Sequence, residues 1–467
     1  MILLGGLVGL LVLIAVSLRL FVDANAYRPR LEAAASSVLG MEVRVGGRMG
    51  IGLFPSLSVT VEDVHIRNRG MELVSAQEAR LGIDLLPLLH KEVRIGKVAL
   101  NHLRVSIERD RSGTYNFENP EAAGGTLPAL DLARVTVSGV TLLYADKRSG
   151  EAIEAGNCSA DVRRLRLSGG ESQYLMKNLS FTAELACAEI RTKDIAVSDL
   201  KSSVEAQGGV FDLKAITMRM FGGQGSATIR ADFSSAVPLY QVRYSLSQFR
   251  IEEFFKILSP LKVAEGPMDF SANLWMAGKT VNEMEQSANG EASLHGKNLT
   301  LNGHDLDLEF SRFESSQNFN LVDLGAFFFA GPVGLAVTKG YNFASLFKGA
   351  GGNSQIRTLV SDWKVERGVA HAQDVAMATN ENRIALKGGL DFPNESFKDV
   401  TVALIDAQGC AKVRQKISGP FQKPVVEKPS ILASLAGPAL KLLRKGRNLF
   451  PGGKCEVFYA GSVAPPK

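Results

Sequence analysis

The chain has 467 residues, room for two to four domains or for one long repetitive one. Hydrophobic residues make up 45% and charged residues 22%, which excludes global disorder. Lys+Arg 53 against Asp+Glu 48 leaves +5 spread along the whole length, too mild for the concentrated basic face that nucleic acid demands, and 4 cysteines exclude a disulfide-dense scaffold.

Residues 2–18 carry no charge, and residues 20–22 extend the apolar run past Arg19. Crossing ~30 Å of hydrocarbon takes about 20 helical residues, so 1–22 is expected to be a single transmembrane anchor marked by Ile2, Leu18 and Val22, with Arg19 snorkelling. A cleaved signal peptide competes, with Ala24-Asn25-Ala26 as its cleavage site. The length of the run and the missing basic residue ahead of it count against that reading. Arg19, Arg28 and Arg30 all follow the run, so charge alone would hold the large domain in the cytoplasm.

Residues 27–39 read as one short amphipathic helix, with Leu31 and Leu39 apolar. Beyond it a period of two dominates, as in residues 41–45, 58–61 and 240–246, with glycine between the runs as turn punctuation. Only residues 85–89, 251–258 and 430–443 read as helix. After the anchor we divide the chain into 23–120, 121–260 and 261–467.

An internal repeat is the most informative feature. Residues 97–113 and 134–150 align without a gap at an offset of 37, matching Val98, Leu100, Leu103, Val105 and Ile107 to Val135, Val137, Val140, Leu142 and Tyr144. Val59, Val61, Val64 and Ile66 form an earlier copy at an offset of 39. In each copy the alternation slips by one, at Glu62-Asp63, Asn101-His102 and Ser138-Gly139. A strand, a bulge and a second strand with its apolar face restored would produce that slip. Ile195, Val197 and Leu200 repeat the pattern weakly. Leu299 and Leu301, then Leu306, Leu308 and Phe310, repeat it around a turn at Asn302-Gly303. The expected fold is mainly β: an elongated, curved antiparallel sheet with a few short helices. Val59, Val61, Val98, Leu100, Leu103, Val105, Val135, Val137, Val140 and Leu142 should share one face. Alternation alone does not distinguish a closed core from an open apolar groove.

No His-Glu-x-x-His, phosphate loop or Gly-x-Ser-x-Gly elbow occurs, and the six histidines are scattered. The expectation is a non-enzyme with no cofactor and no metal. Residues 221–226 are Gly-rich but read as a turn between strands. Cys410 and Cys455 bracket a Pro-rich insert and are the leading disulfide candidates; Cys158 and Cys187 flank a second pair of strands, and buried thiols are the alternative. Either bridge would suit an oxidising compartment, against the charge rule. Residues 430–449 form a basic amphipathic stretch, read either as a plug on the last sheet or as a membrane-surface helix.

The chain resembles the AsmA family of bacterial envelope proteins. The resemblance lies in the anchor followed by Val22-Asp-Ala-Asn-Ala-Tyr-Arg-Pro-Arg-Leu31, in Leu53-Phe-Pro55 leading to Val61-Glu-Asp-Val64, and in Leu85-Leu-Pro-Leu-Leu89 before Val93-Arg-Ile-Gly-Lys-Val98. It continues through Ile107-Glu-Arg-Asp-Arg-Ser-Gly-Thr-Tyr-Asn-Phe117, Phe221-Gly-Gly-Gln-Gly-Ser-Ala227, the segment from Asn289 to Leu301 and the tail Phe458-Tyr-Ala-Gly-Ser-Val463. The order of these motifs, more than any one of them, carries it. It implies a chorein-like β-groove, an inner-membrane anchor with the bulk of the chain in the periplasm, and a part in outer-membrane biogenesis through phospholipid traffic. The implied partners are the inner membrane, phospholipids, and outer-membrane or periplasmic envelope proteins. A non-transporting scaffold for outer-membrane protein assembly is the rival function.

Overall fold

Alternating side chains make strands, and strands dominate the computed structural model. It describes residues 24–52, 57–84, 94–118, 126–171, 174–257, 262–308, 310, 328, 351–431 and 457–466. The chain divides into two compact units, residues 1–218 and 219–467, whereas the sequence suggested divisions at 120 and 260. The expected anchor over 1–22 and the helix over 85–89 lie outside the described residues. No helix among the described residues is long and apolar enough to cross a membrane.

The N-terminal unit holds α1 (Arg28–Leu39), β1 (Glu42–Val45), β2 (Met49–Gly52), β3 (Ser58–Asn68), β4 (Met71–Ile83) and β5 (Ile95–Arg109). There follow β6 (Thr126–Asp146), β7 (Glu151–Glu171), α2 (Leu175–Asn178), β8 (Leu179–Thr192), β9 (Ala196–Gln207) and β10 (Val210–Met220). β1 and β2 both pair with β3, and from β3 to β9 each strand pairs with the next. One pair corrects the expected antiparallel sheet: β5 and β6 run parallel, and every partner pair, from Lys97↔Arg134 to Arg109↔Asp146, carries the 37-residue offset of the repeat. Two copies of one sequence pattern side by side, pointing the same way, need a connection that returns to the starting end of the sheet. The connection leaves β5 through residues 110–118, where Tyr115 bridges back to Arg109. At its start Asn116 is 4% exposed, accepts from the Glu108 amide at 3.0 Å and donates to the Ser106 carbonyl at 2.8 Å.

The predicted slips are backbone bulges. Asp63, His102 and Gly139 have φ of 54°, 51° and 62°, and Asn157 and Asp199 continue the series in β7 and β9 at 50° and 53°. The ladders skip these positions: Glu62↔Glu78 is followed by Val64↔Ala76, and Gly156↔Glu189 by Cys158↔Cys187. A left-handed residue inserted into a strand bends it and returns the next side chain to the original face. Because the bulges are aligned, they form one crease across the sheet. At Gly139 a Cβ would stand 3.2 Å from Cδ2 of His102, so neighbouring bulges also nest.

The first edge of the sheet is closed by side chains. Ser36 accepts from the Val43 amide (2.9 Å), Glu32 from Val45 (2.7 Å) and Asn25 from Met49 (3.1 Å), while Arg28 donates to the Gly47 carbonyl (2.6 Å). Spaced by three, four and four residues, these groups form one stripe on α1 and the turn before it. They replace a missing strand, which guards the edge against further pairing. Of the two apolar residues expected to anchor α1, Leu31 packs on Val45, Met49 and Val61, but Leu39 is 49% exposed.

The C-terminal unit begins with β11 (Gly223–Asp232), β12 (Leu239–Arg250), α3 (Ile251–Phe255), β13 (Ala264–Glu265), β14 (Pro267–Ala277), α4 (Val281–Ser287) and β15 (Asn289–Asn302). It continues with β16 (Asn353–Glu366), β17 (Val369–Ala378), β18 (Arg383–Asp391), β19 (Ser396–Ile405), β20 (Ala411–Pro420), β21 (Val425–Val426) and β22 (Ser430–Ile431). α3 matches the helix expected from 251. Ser430 and Ile431 pair with β20 instead of opening the expected helix, whose remainder lies outside the described residues. Residues 306–308 are helical, so the strand expected after the Asn302-Gly303 turn is absent there. The tail docks on β17 and β18: the Tyr459 hydroxyl donates to Asp374 at 2.5 Å, and Arg383 donates to the Val463 carbonyl at 2.8 Å.

If the crease stores backbone strain at non-glycine positions, two substitutions act with opposite sign. Gly139→Val should lower stability to urea by about 1–3 kcal/mol. His102→Gly, at an exposed residue with φ of 51° in β5, should raise it by up to about 1 kcal/mol. A loss at His102→Gly would refute the strain.

Candidate functional site

One face of the N-terminal sheet is built from rungs of apolar side chains. Val59, Leu81, Val98, Val135, Val162, Ala183 and Val204 are consecutive register partners from β3 to β9. The rung beside it runs Val61, Ala79, Leu100, Val137, Ala160 and Leu185. Beyond the crease Ile66, Val74, Val105, Leu142, Ala155, Ile190 and Val197 form another. At ~4.8 Å per strand, seven strands carry each full rung roughly 30 Å across the sheet.

All ten residues singled out in the sequence lie on these rungs or on the one between them, which holds Leu103 and Val140. They are not a closed core. Val61 is 3% exposed within the cluster under α1, while the other nine are only half-buried. Among the described residues of this unit, α1 lies against β1 and α2 against β7, and no second sheet covers the face. The sequence did not reveal the partners on β4, β7 and β8. Of these, β4 and β7 run opposite to the repeat copies, so their slip reads backwards, as in Leu81 and Ala79, then Ala76 and Val74 on β4.

The opposite face is polar. Its matching rung is Thr60, Arg80, Ala99, Thr136, Asp161, Glu184 and Ser203. Arg134 holds Asp161 through two hydrogen bonds of 2.7 and 3.0 Å, and with Arg163 beside it keeps that carboxyl below the usual range. Glu72 and Asp63, each 3.0 Å from a ring nitrogen of His65, push the imidazole above its usual value. A fixed charge pattern on this side leaves the apolar side as the face from which water is most readily displaced.

A disulfide crosses the apolar face. Cys158 and Cys187 are direct register partners with Cα atoms 3.9 Å apart, and they continue the rung of Val140 to Leu200. The sequence ranked this bridge second. Cys410, half of the leading candidate, is also disulfide-bonded. Cys455 lies outside the described residues.

The C-terminal unit contrasts with this open face. Leu246, Phe249, Ile251, Phe254, Leu299, Leu301 and Leu306 have 0% exposure, and every large, fully buried side chain among the described residues lies beyond residue 218. Burial without a partner lifts the Tyr244 hydroxyl to about 12. No cluster of three metal-binding side chains occurs among the described residues.

A family model described as the AsmA family matches residues 1–123 and 126–311, about two-thirds of the chain. No curated protein and no solved structure matches it.

The Cys158–Cys187 bridge closes a 29-residue separation. Replacing both cysteines with serine should cost about 2–4 kcal/mol of stability, read as an earlier urea midpoint. An unchanged midpoint in the oxidised protein would show that the bridge does not constrain the fold.

Proposed function

Since the chain belongs to the AsmA family, we propose that it shields lipid acyl chains on the apolar face of its N-terminal sheet and passes them between membranes of the cell envelope. One observation carries the reading: of three apolar rungs, two span β3 to β9 and one β3 to β8, and nine of the ten residues foreseen on that face remain half-exposed. Burying each CH₂ of an acyl chain there contributes ~0.8 kcal/mol. Neighbouring positions along a rung are chemically alike, so a chain shifts from strand to strand without a large barrier. The reading asks no catalytic chemistry of the protein.

The proposal places the chain in a bacterial inner membrane through residues 1–22, with its bulk in the periplasm. The Cys158–Cys187 bridge supports an oxidising compartment and outweighs the arginines that follow the apolar run. Phospholipid is the proposed cargo, and envelope proteins are the proposed receivers. The scaffold reading draws on the C-terminal unit, whose closed core leaves its outer surface to partners.

The test is lipid content of the purified full chain by mass spectrometry. Val98→Asp and Val135→Asp, adjacent on one rung, should each reduce bound phospholipid about tenfold, since a buried unpaired charge costs more than 1.4 kcal/mol. Thr141→Asp, beside Arg104 on the polar face, should leave it unchanged. Equal lipid content in all three folded variants would refute the groove and favour the scaffold.

A further inference from the structure

A small apolar tip stands at one end of the N-terminal sheet, where β6 begins, β7 ends and β8 begins. Tyr174 is 47% exposed, Leu175 36% and Met176 43%, and Leu130 at the same end of β6 is 42% exposed. β6 and β7 pair as far as Thr126↔Glu171, which carries this end roughly 25 Å past the Lys97↔Arg134 pair. The tip is held in place. Asn178 donates to the Gly169 carbonyl at 3.1 Å and ties α2 to β7, and Lys177 Nζ lies 5.9 Å from the centre of the Tyr174 ring.

The apolar face leads to this tip. On β8, Leu179 and Phe181 share the face of Ala183. Leu179 pairs with Leu167, Leu167 with Leu130, and Leu165 with Leu132. Arg164, with φ of 53°, is a further left-handed residue in β7 and restores the face between Val162 and Leu165. The chain also enters the sheet from this side. α1 begins near Met49, opposite Val61, and ends near Val43, opposite Ile66. Its start is therefore nearer the beginning of β3, and β3 and β6 begin at the same end of the sheet.

Size decides what the tip can bind. Four side chains at 36–47% exposure offer roughly 300–400 Å², against ~800 Å² per partner in a stable protein interface. A bilayer asks for less area. A tyrosine at headgroup depth, aliphatic groups below it and a snorkelling lysine match the residues that membrane interfaces select. Arg164 and Lys177 outnumber Glu171 here, while Arg166 and Asp131 offset each other as an ion pair at 3.5 Å. The balance favours anionic headgroups.

We infer that Leu130, Tyr174, Leu175, Met176 and Lys177 insert into the surface of the bilayer that holds residues 1–22, and that acyl chains enter the apolar face at this end. This contact presupposes the proposed anchor and gives the proposed lipid-shielding face its port of entry.

The experiment reconstitutes the full chain in phospholipid vesicles, with and without anionic lipid. Tyr174→Trp places an emitter at the tip, and Leu142→Trp places one on the apolar face beyond the crease. The unaltered chain supplies the background of Trp275 and Trp363. The emission added by Tyr174→Trp should shift to the blue and be lost to lipids brominated near the headgroup more than to lipids brominated near the terminal methyl. Adding Leu175→Asp and Met176→Asp should restore it, and Lys177→Glu should restore part of it only where anionic lipid is present. An unquenched Tyr174→Trp overturns the inference, and so does quenching that survives both aspartates. If Leu142→Trp is quenched and Tyr174→Trp is not, lipid occupies the face but does not enter at the tip. If Tyr174→Trp alone is quenched, the membrane contact stands and the lipid-carrying face falls.

Discussion

Side chains alternate across a strand, so one extra residue sends everything beyond it to the wrong face. Every apolar rung of the N-terminal sheet depends on how that constraint is met. Asp63, His102, Gly139, Asn157 and Asp199 each absorb one residue in a left-handed conformation, at corresponding positions on their strands. A single misplaced bulge would set valines beside arginines on both neighbouring strands. Alignment of the bulges matters more than the presence of any one. It lets strands of 11 to 21 residues bend at a shared line while keeping a continuous two-sided character. Asp and Asn occupy three of the five positions, where a short polar side chain tolerates a conformation that costs most residues about 1–2 kcal/mol.

Much of this was legible in the amino-acid order. The offset of 37 between Val98 and Val135 is the register of a parallel pair, and the offset of 39 between Val59 and Val98 spans the intervening β4. The slips at 63, 102 and 139 were visible because apolar parity changes there. Antiparallel members such as Leu81 and Val162 were not visible, since a reversed copy does not align with a forward one. The parallel direction of β5 and β6 also escaped the sequence reading, because equal alternation fits either orientation. On α1 the informative stripe was polar: Asn25, Arg28, Glu32 and Ser36 have helical spacing, yet their partners are backbone groups that no side-chain pattern announces. Openness was the least legible property. The same alternation builds the half-exposed Val98 and the fully buried Leu299.

The two units use one kind of strand for opposite ends. In the C-terminal unit the apolar side is covered, phenylalanines at 221, 249 and 254 pack edge to face or tilted, and the tail is pinned through Asp374 and Arg383. Such a core is held by its own contacts. In the N-terminal unit the apolar side has few internal neighbours, and ladder hydrogen bonds, the Cys158–Cys187 bridge and the α1 stripe hold the sheet together. A surface kept rigid by its backbone and edges stays apolar without collapsing on itself, which is what the proposed shielding of acyl chains requires.

The matched borders of the repeat also bear on how such a sheet changes over time. β5 and β6 present the same sequence of valines, leucines and bulge to whatever lies beside them. Duplicating or deleting one whole unit therefore leaves every remaining rung in place, while deleting a single residue between Val98 and Val105 inverts half a strand. Length in this architecture is inherited in whole increments, like links of a chain. Selection for a wider gap between two surfaces would act on the number of links and spare the design of each.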